Sequence, residues 1–145
     1  MLTTRLPVAA VTATILVCGA LGALTSAQGR SVASGIYSEA QAARGSVLFA
    51  EHCAPCHGTD LAGTDFGPGL SSPELPARWK RRSVGELFSL MRSTMPLNSP
   101  GGLSARQNAD ILAFILQRAK FPAGAGELPA DDSALGQVRF EMPAR

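Results

Sequence analysis

The chain has 145 residues, 46% hydrophobic, 17% charged and 6% aromatic. That length suits one compact domain, and so high an apolar content with so small a net charge excludes a chain disordered throughout. Thirteen Lys and Arg against eleven Asp and Glu leave +2, too small an excess for a general nucleic-acid binder.

Arg5 is the one charged residue ahead of Arg30, and 8–24 is an apolar run that ends at Thr25-Ser26-Ala27. A basic start, an apolar stretch and a small-residue exit describe a secretory signal over 1–27. The stretch 6–27 is also long enough to remain as an uncleaved anchor, at about 20 apolar residues per bilayer crossing. Cys18 follows Val17, where a lipoprotein acceptor would want a small residue, so it reads as a buried hydrophobe of the signal. Cleavage after Ala27 leaves two cysteines, Cys53 and Cys56. The expected location is outside the cytoplasm, periplasmic or membrane-anchored through the N-terminal segment.

Residues 28–37 are small and polar and read as a linker. Three helix starts follow with one signature: Ser38-Glu39-Ala40-Gln41, Ser83-Val84-Gly85-Glu86 and Ser104-Ala105-Arg106-Gln107. Each pairs a Ser cap with Glu or Gln three residues on, the reciprocal capping box, and together they predict a mainly helical domain over 38–121. The first helix is expected over 39–52, with Ala43, Val47 and Ala50 on one face. Gly45 lies inside it, at a cost of about 1 kcal/mol relative to Ala. Either another helix crosses there, beside Phe49, or the glycine is simply tolerated. The second helix is expected over 84–93, with Leu87, Leu90, Met91 and Thr94 at helical spacing. The third is expected over 105–119, apolar nearly all round from Ile111 to Leu116 and so buried on most sides; Pro122 and Gly124 end it.

Between the first two helices, 58–82 carries Gly63, Gly67-Pro68-Gly69 and Pro73-Glu74-Leu75-Pro76. So long a loop in a compact domain is functional or wraps something. Residues 122–145 form a C-terminal extension, expected to drape over the domain through Leu135, Val138 and Phe140. A core built from three modest helices is marginal without a staple, and a bound prosthetic group would supply one.

Cys53-Ala54-Pro55-Cys56-His57 is C-x-x-C-H, the attachment sequence for c-type haem. Two thiols can form thioethers to the two vinyl groups, and the next residue presents an imidazole to iron from the same turn. A thioredoxin-like dithiol would need βαβ surroundings, which nothing here resembles. A zinc site would have to draw on His52, Cys53, Cys56 and His57, too cramped for two separated ligand pairs. A disulfide between Cys53 and Cys56 leaves His57 unexplained. With His57 on the iron, the other axial position decides the function. Met91 falls on the apolar face of the second helix, Met142 lies in the tail, and His52 is too near the attachment turn to reach the other haem face. Met95 precedes Pro96, which disfavours helix at the residue before it. Met95 can therefore leave the helix and point inward, with Met91 next in order.

At these residues the sequence resembles the class I cytochromes c of bacterial mono-haem type, over roughly 37–121. The likeness includes Gly45, Phe49, the haem motif with Gly58, Gly67-Pro68-Gly69-Leu70, Trp79, Thr94-Met95-Pro96 and 111–116. It implies an all-α cytochrome c fold, three main helices around one covalently attached haem c. It further implies Cys53 and Cys56 as the attachments, His57 and Met95 as proximal and distal iron ligands, and the Pro68 carbonyl orienting His57. Trp79 would lie near a haem propionate, or serve only as a core aromatic, and Gly45, Phe49 and Phe114 would form the crossing of the first and last helices. The loop around 63–65 and 78–82 varies in length within the family. Pro100-Gly101-Gly102-Leu103-Ser104, Phe121-Pro122-Ala123-Gly124 and Glu127-Leu128-Pro129 are more loosely similar to cytochrome domains found beside quinoprotein dehydrogenases. The implied donor is such a dehydrogenase, and the acceptor an oxidase or another cytochrome.

The function expected is electron transfer by a saturated His/Met iron and not catalysis. The alternative is a haem enzyme or gas sensor with an open or displaceable sixth ligand. A fixed subunit of a dehydrogenase or oxidase would differ from a free carrier in its partner and not in its haem. Arg78-Trp79-Lys80-Arg81-Arg82 carries four positive charges. It reads as a solvated face, or, if beside the haem edge, as a steering patch for an acidic partner.

Overall fold

The computed structural model describes residues 30–141. The stretch read as an export signal, Cys18 and Met142 lie outside these residues. Among the described residues no helix is long and apolar enough to cross a membrane.

Three principal helices carry the fold: α1 (Glu39–His52), α4 (Val84–Thr94) and α5 (Ala105–Arg118). Three short ones accompany them: α2 (Ala54–His57), α3 (Glu74–Trp79) and α6 (Asp132–Gly136). All three expected Ser caps accept a backbone N–H at the third position. The box closes reciprocally at Ser83–Glu86 and Ser104–Gln107. At Ser38 it stays open, because the Gln41 side chain is used elsewhere. Its amide donates to the Leu128 carbonyl at 3.0 Å and its carbonyl accepts the Leu128 N–H at 2.7 Å.

That use of Gln41 shows which way α1 faces. The buried side is Gln41, Ala42, Gly45 and Phe49, whereas Ala43, Val47 and Ala50, expected to share a face, lie outside, with Val47 68% exposed. The orientation is decided by the crossing with α5. A Cβ on Gly45 would lie 1.8 Å from the Asp110 carbonyl oxygen, so the helices approach backbone to backbone. Phe49 and Phe114 meet beside that point with ring centroids 5.4 Å apart. Arg44 closes the outer rim, donating through Nε and Nη2 to Asp110 at 3.1 and 3.0 Å and through Nη2 to Glu127 at 2.8 Å.

Two segments differ from the sequence expectation. The long loop contains α3, whose Pro76 sits in the first turn, where its missing N–H removes no helical bond. The linker is no free tether from residue 30 onward. Arg30–Ser31 pairs in parallel with Val138–Arg139, Val32 and Tyr37 are fully buried, and Tyr37 Oη donates to the Phe121 carbonyl at 2.7 Å. Composition is silent on this, because two-residue pairing and single buried side chains leave no periodic pattern. The C-terminal extension does drape over the domain, burying Leu128, Leu135, Val138 and Phe140 in the same core. Gly85 admits α6 against α4, since a Cβ there would meet the Gly136 nitrogen at 2.6 Å. Arg92 and Asp132 pair across this contact.

Candidate functional site

The helices leave one apolar cavity of about 470 Å³. Its walls come from Leu70 and Leu75 before and on α3, Leu87, Leu90 and Met91 on α4, and Ile111 and Ile115 on α5. Cys53, Cys56, His57, Pro68, Trp79 and Met95, the six residues singled out from the sequence, all line it. Ile111 and Ile115 were not expected on this wall. Their i, i+4 spacing marks a shared helix face, but on a helix apolar nearly all round it does not say what that face meets.

His57 closes the one-turn α2 and is buried. Its Nδ1 lies 2.8 Å from the Pro68 carbonyl oxygen. A carbonyl can only accept, so the proton sits on Nδ1 and the Nε2 lone pair stays free to bind a metal. The loop behind the ring leaves no slack: a Cβ on Gly67 would meet Nδ1 and Cε1 of His57 at 3.0 and 3.1 Å and the Cys56 carbonyl at 2.8 Å. The long glycine-rich segment thus wraps the attachment turn and fixes the imidazole.

Cys53 and Cys56 are partly buried and form no disulfide with each other. Burial, and secondarily the neighbouring Cys56, push the Cys53 thiol up to about 11, so it is a neutral thiol at ordinary pH. Among the described residues no cluster of three or more His, Cys, Asp and Glu side chains could hold a metal ion, which leaves the zinc alternative without a ligand set. The helical surroundings likewise give no support to a thioredoxin-like site.

Met95 caps α4, its N–H bonded to the Met91 carbonyl at 2.9 Å and its own backbone extended at φ −114° and ψ 152°. The chain therefore leaves the helix at the residue before Pro96. Met91, one turn earlier, also lines the cavity, within the buried face of α4. His52 and Glu51 are on the wall too, on the last turn of α1 that leads into Cys53.

Trp79 is 5% exposed, and its indole N–H makes no hydrogen bond among the described residues. Arg78 beside it reaches the same cavity. The basic run does not act as one patch. Arg82 is paired with Glu86 at 3.1 Å and stacked over Trp79 at 4.4 Å, while Lys80 and Arg81 face away from the cavity into a second groove.

Several cavity-lining apolar groups are exposed: Leu90 at 44%, Leu97 at 64% and Phe66 at 79%. Apolar surface around an open apolar cavity is unfavourable unless something covers it. A large flat apolar group tied to two adjacent thiols, with an imidazole at the same turn, fits these walls.

Residues 40–115, more than half of the chain, match the family described as cytochrome C oxidase, cbb3-type, subunit III. The chain belongs to this cytochrome c family. Its cofactor is covalent haem c, and its chemistry is haem-based electron transfer. The sulfane dehydrogenase SoxCD from Paracoccus pantotrophus is a similar solved structure. It shares 25% identity at a TM-score of 0.49, over 68% of this chain and 52% of that one. The chain thus spans about half the length of that protein. No curated protein matches it.

Proposed function

We propose that this cytochrome c is an exported one-electron carrier, whose haem is attached through Cys53 and Cys56 and whose iron is held by His57 and Met95. The observation that carries this is the convergence of both thiols, a His57 tautomer set by Pro68, and the Met95 thioether on one apolar cavity. Met95 is preferred to Met91 because it stands where the backbone has left α4, whereas Met91 is part of that helix's buried face.

The haem supplies reversible gain and loss of one electron. The chain's own contribution is positional. Pro68 keeps the His57 proton on Nδ1, Gly67 backs the ring, and the Leu, Ile and Met walls exclude water. Thioether ligation raises the potential, and a saturated iron leaves no coordination site for a substrate. Trp79 and Arg78 offer an N–H and a guanidinium for propionate groups. Of the acid and base side chains on the wall besides His57 and Arg78, Glu51 and His52 lie on the last turn of α1, directly ahead of the attachment turn. That supports a carrier over an enzyme with distal acid–base chemistry. A dehydrogenase-type donor, such as a quinoprotein, and a respiratory acceptor, an oxidase or another cytochrome, fit this role.

Optical spectra of the holoprotein, with and without carbon monoxide, test the proposal. The expected result is a low-spin haem with the far-red Met–iron band, indifferent to carbon monoxide, the band being lost in Met95→Ala and kept in Met91→Ala. Loss in Met91→Ala alone would transfer the ligand role to Met91. A high-spin or carbon-monoxide-binding wild type would replace the carrier by an enzyme or sensor.

A further inference from the structure

A second groove, of about 730 Å³, lies on the other side of α3 from the haem cavity. Phe121 and Phe140, themselves buried with ring centroids 6.0 Å apart, form its floor. Lys80, Arg81 and Arg139 stand around it, all exposed, and none has an ion-pair partner among the described residues. Glu141 is the one acid on its rim. The cations come from two separate parts of the chain, the turn after α3 and the C-terminal strand. Phe121, Arg139, Phe140 and Glu141, four of its ten lining residues, lie outside the stretch 40–115 matched to the family.

The groove is also close to the haem cavity through aromatic matter. Phe140 on its floor packs against Trp79 with ring centroids 6.2 Å apart, and Trp79 lines the haem cavity. Two aromatic side chains in contact thus span the distance between a basic surface and the cofactor cavity. A solvated charged face needs neither the aromatic floor nor that continuity.

We infer that this groove is a docking site for an acidic surface of a redox protein, which exchanges electrons with the haem across Phe140 and Trp79. The inference rests on the carrier function proposed above and names the surface its partner uses. Three exposed cations against the single Glu141, around an apolar floor, favour a carboxylate-rich partner segment, and their field speeds its encounter at low salt. One electron crosses per encounter. The donor's centre loses it and ferric iron gains it, with no bond formed or broken.

The test uses the holoprotein and a decaglutamate peptide, followed by amide shifts of the diamagnetic ferrous form. Lys80→Glu/Arg139→Glu is compared with Arg106→Glu/Arg118→Glu, which changes net charge equally on α5. Shifts centred on Lys80, Arg81, Phe121, Arg139 and Phe140, with affinity reduced at least tenfold only in the first variant, are expected. The same peptide carrying a ruthenium tris-bipyridine photoreductant should reduce ferric protein in a saturable fast phase, absent in Lys80→Glu/Arg139→Glu and kept in the control. Shifts centred on Leu97 and Asn98 of the haem cavity wall, equal losses in both variants, or no saturable phase would each overturn the inference. None of these readouts depends on whether Met95 or Met91 holds the iron, and the optical spectra report any failure of haem attachment separately.

Discussion

Replacing Gly45 by Ala separates a tolerated helix glycine from a required one. On propensity alone the change should stabilise α1 by about 1 kcal/mol. The added methyl, however, would lie 1.8 Å from the Asp110 carbonyl oxygen and 2.4 Å from its carbon. That is roughly 1.5 Å or more short of ordinary contact. Both sides of the clash are helix backbone, so no rotamer change can relieve it, and α1 must move away from α5. Overpacking that side chains can absorb costs about 1–3 kcal/mol. Here the movement also loosens the Phe49–Phe114 pair and the Arg44–Asp110 fork. A net loss of about 2–4 kcal/mol is expected after the propensity gain, which for a domain near 100 residues lowers Tm by about 10 °C or more. Urea and thermal unfolding of the holoprotein measure it. Gly126→Ala, whose Cβ would meet nothing within 4 Å, serves as control and should change little. A Gly45→Ala protein as stable as wild type, or more stable, would refute the close crossing.

Tyr37 is the chain's single tyrosine, and burial, with Glu39 adding to it, pushes its hydroxyl up to about 12 from 10.0. The raised value protects the folded state below pH 10, and that protection, about 2–3 kcal/mol, is lost as pH rises from 10 to 12. Tyr37→Phe should cost about 1 kcal/mol at pH 7 through the lost bond to Phe121 and flatten this alkaline slope in urea titrations; an unchanged slope would remove Tyr37 from the account. Gln41→Leu leaves the Leu128 N–H and carbonyl unpaired and should cost about 2–4 kcal/mol, with faster hydrogen exchange at the Leu128 amide as the local sign. Gly67→Ala presses on the His57 ring and should raise the high-spin fraction of the ferric spectrum, whereas Gly126→Ala should leave it untouched.

Local rules were sufficient for the three principal helices but not for the short α3 and α6. Ser caps three residues ahead of Glu or Gln, and the stops at Pro96 and Pro122, place α1, α4 and α5 to within about a residue, because capping and proline restriction act within one turn. The cofactor class was equally legible, since C-x-x-C-H packs its chemistry into five consecutive residues. Where a helix faces was not. Ala43, Val47 and Ala50 suggest a stripe on α1, yet Gly45 and Gln41 decide the buried side, one by what it lacks and the other by a partner 87 residues away.

The sequence by itself determined the boundaries of the three principal helices, the cofactor chemistry and the methionines available, because each is encoded over a few neighbouring residues. Only the tertiary structure decided that 30–37 belong to the core, and that Gln41 is spent on the Leu128 backbone. It also decided that the basic run 78–82 divides, Arg78 to the apolar cavity lined by Cys53, Cys56 and His57, Arg82 to Glu86 and Trp79, and Lys80 with Arg81 to a separate groove. Those outcomes depend on which surfaces meet when distant segments pack, and neither spacing nor composition carries that information.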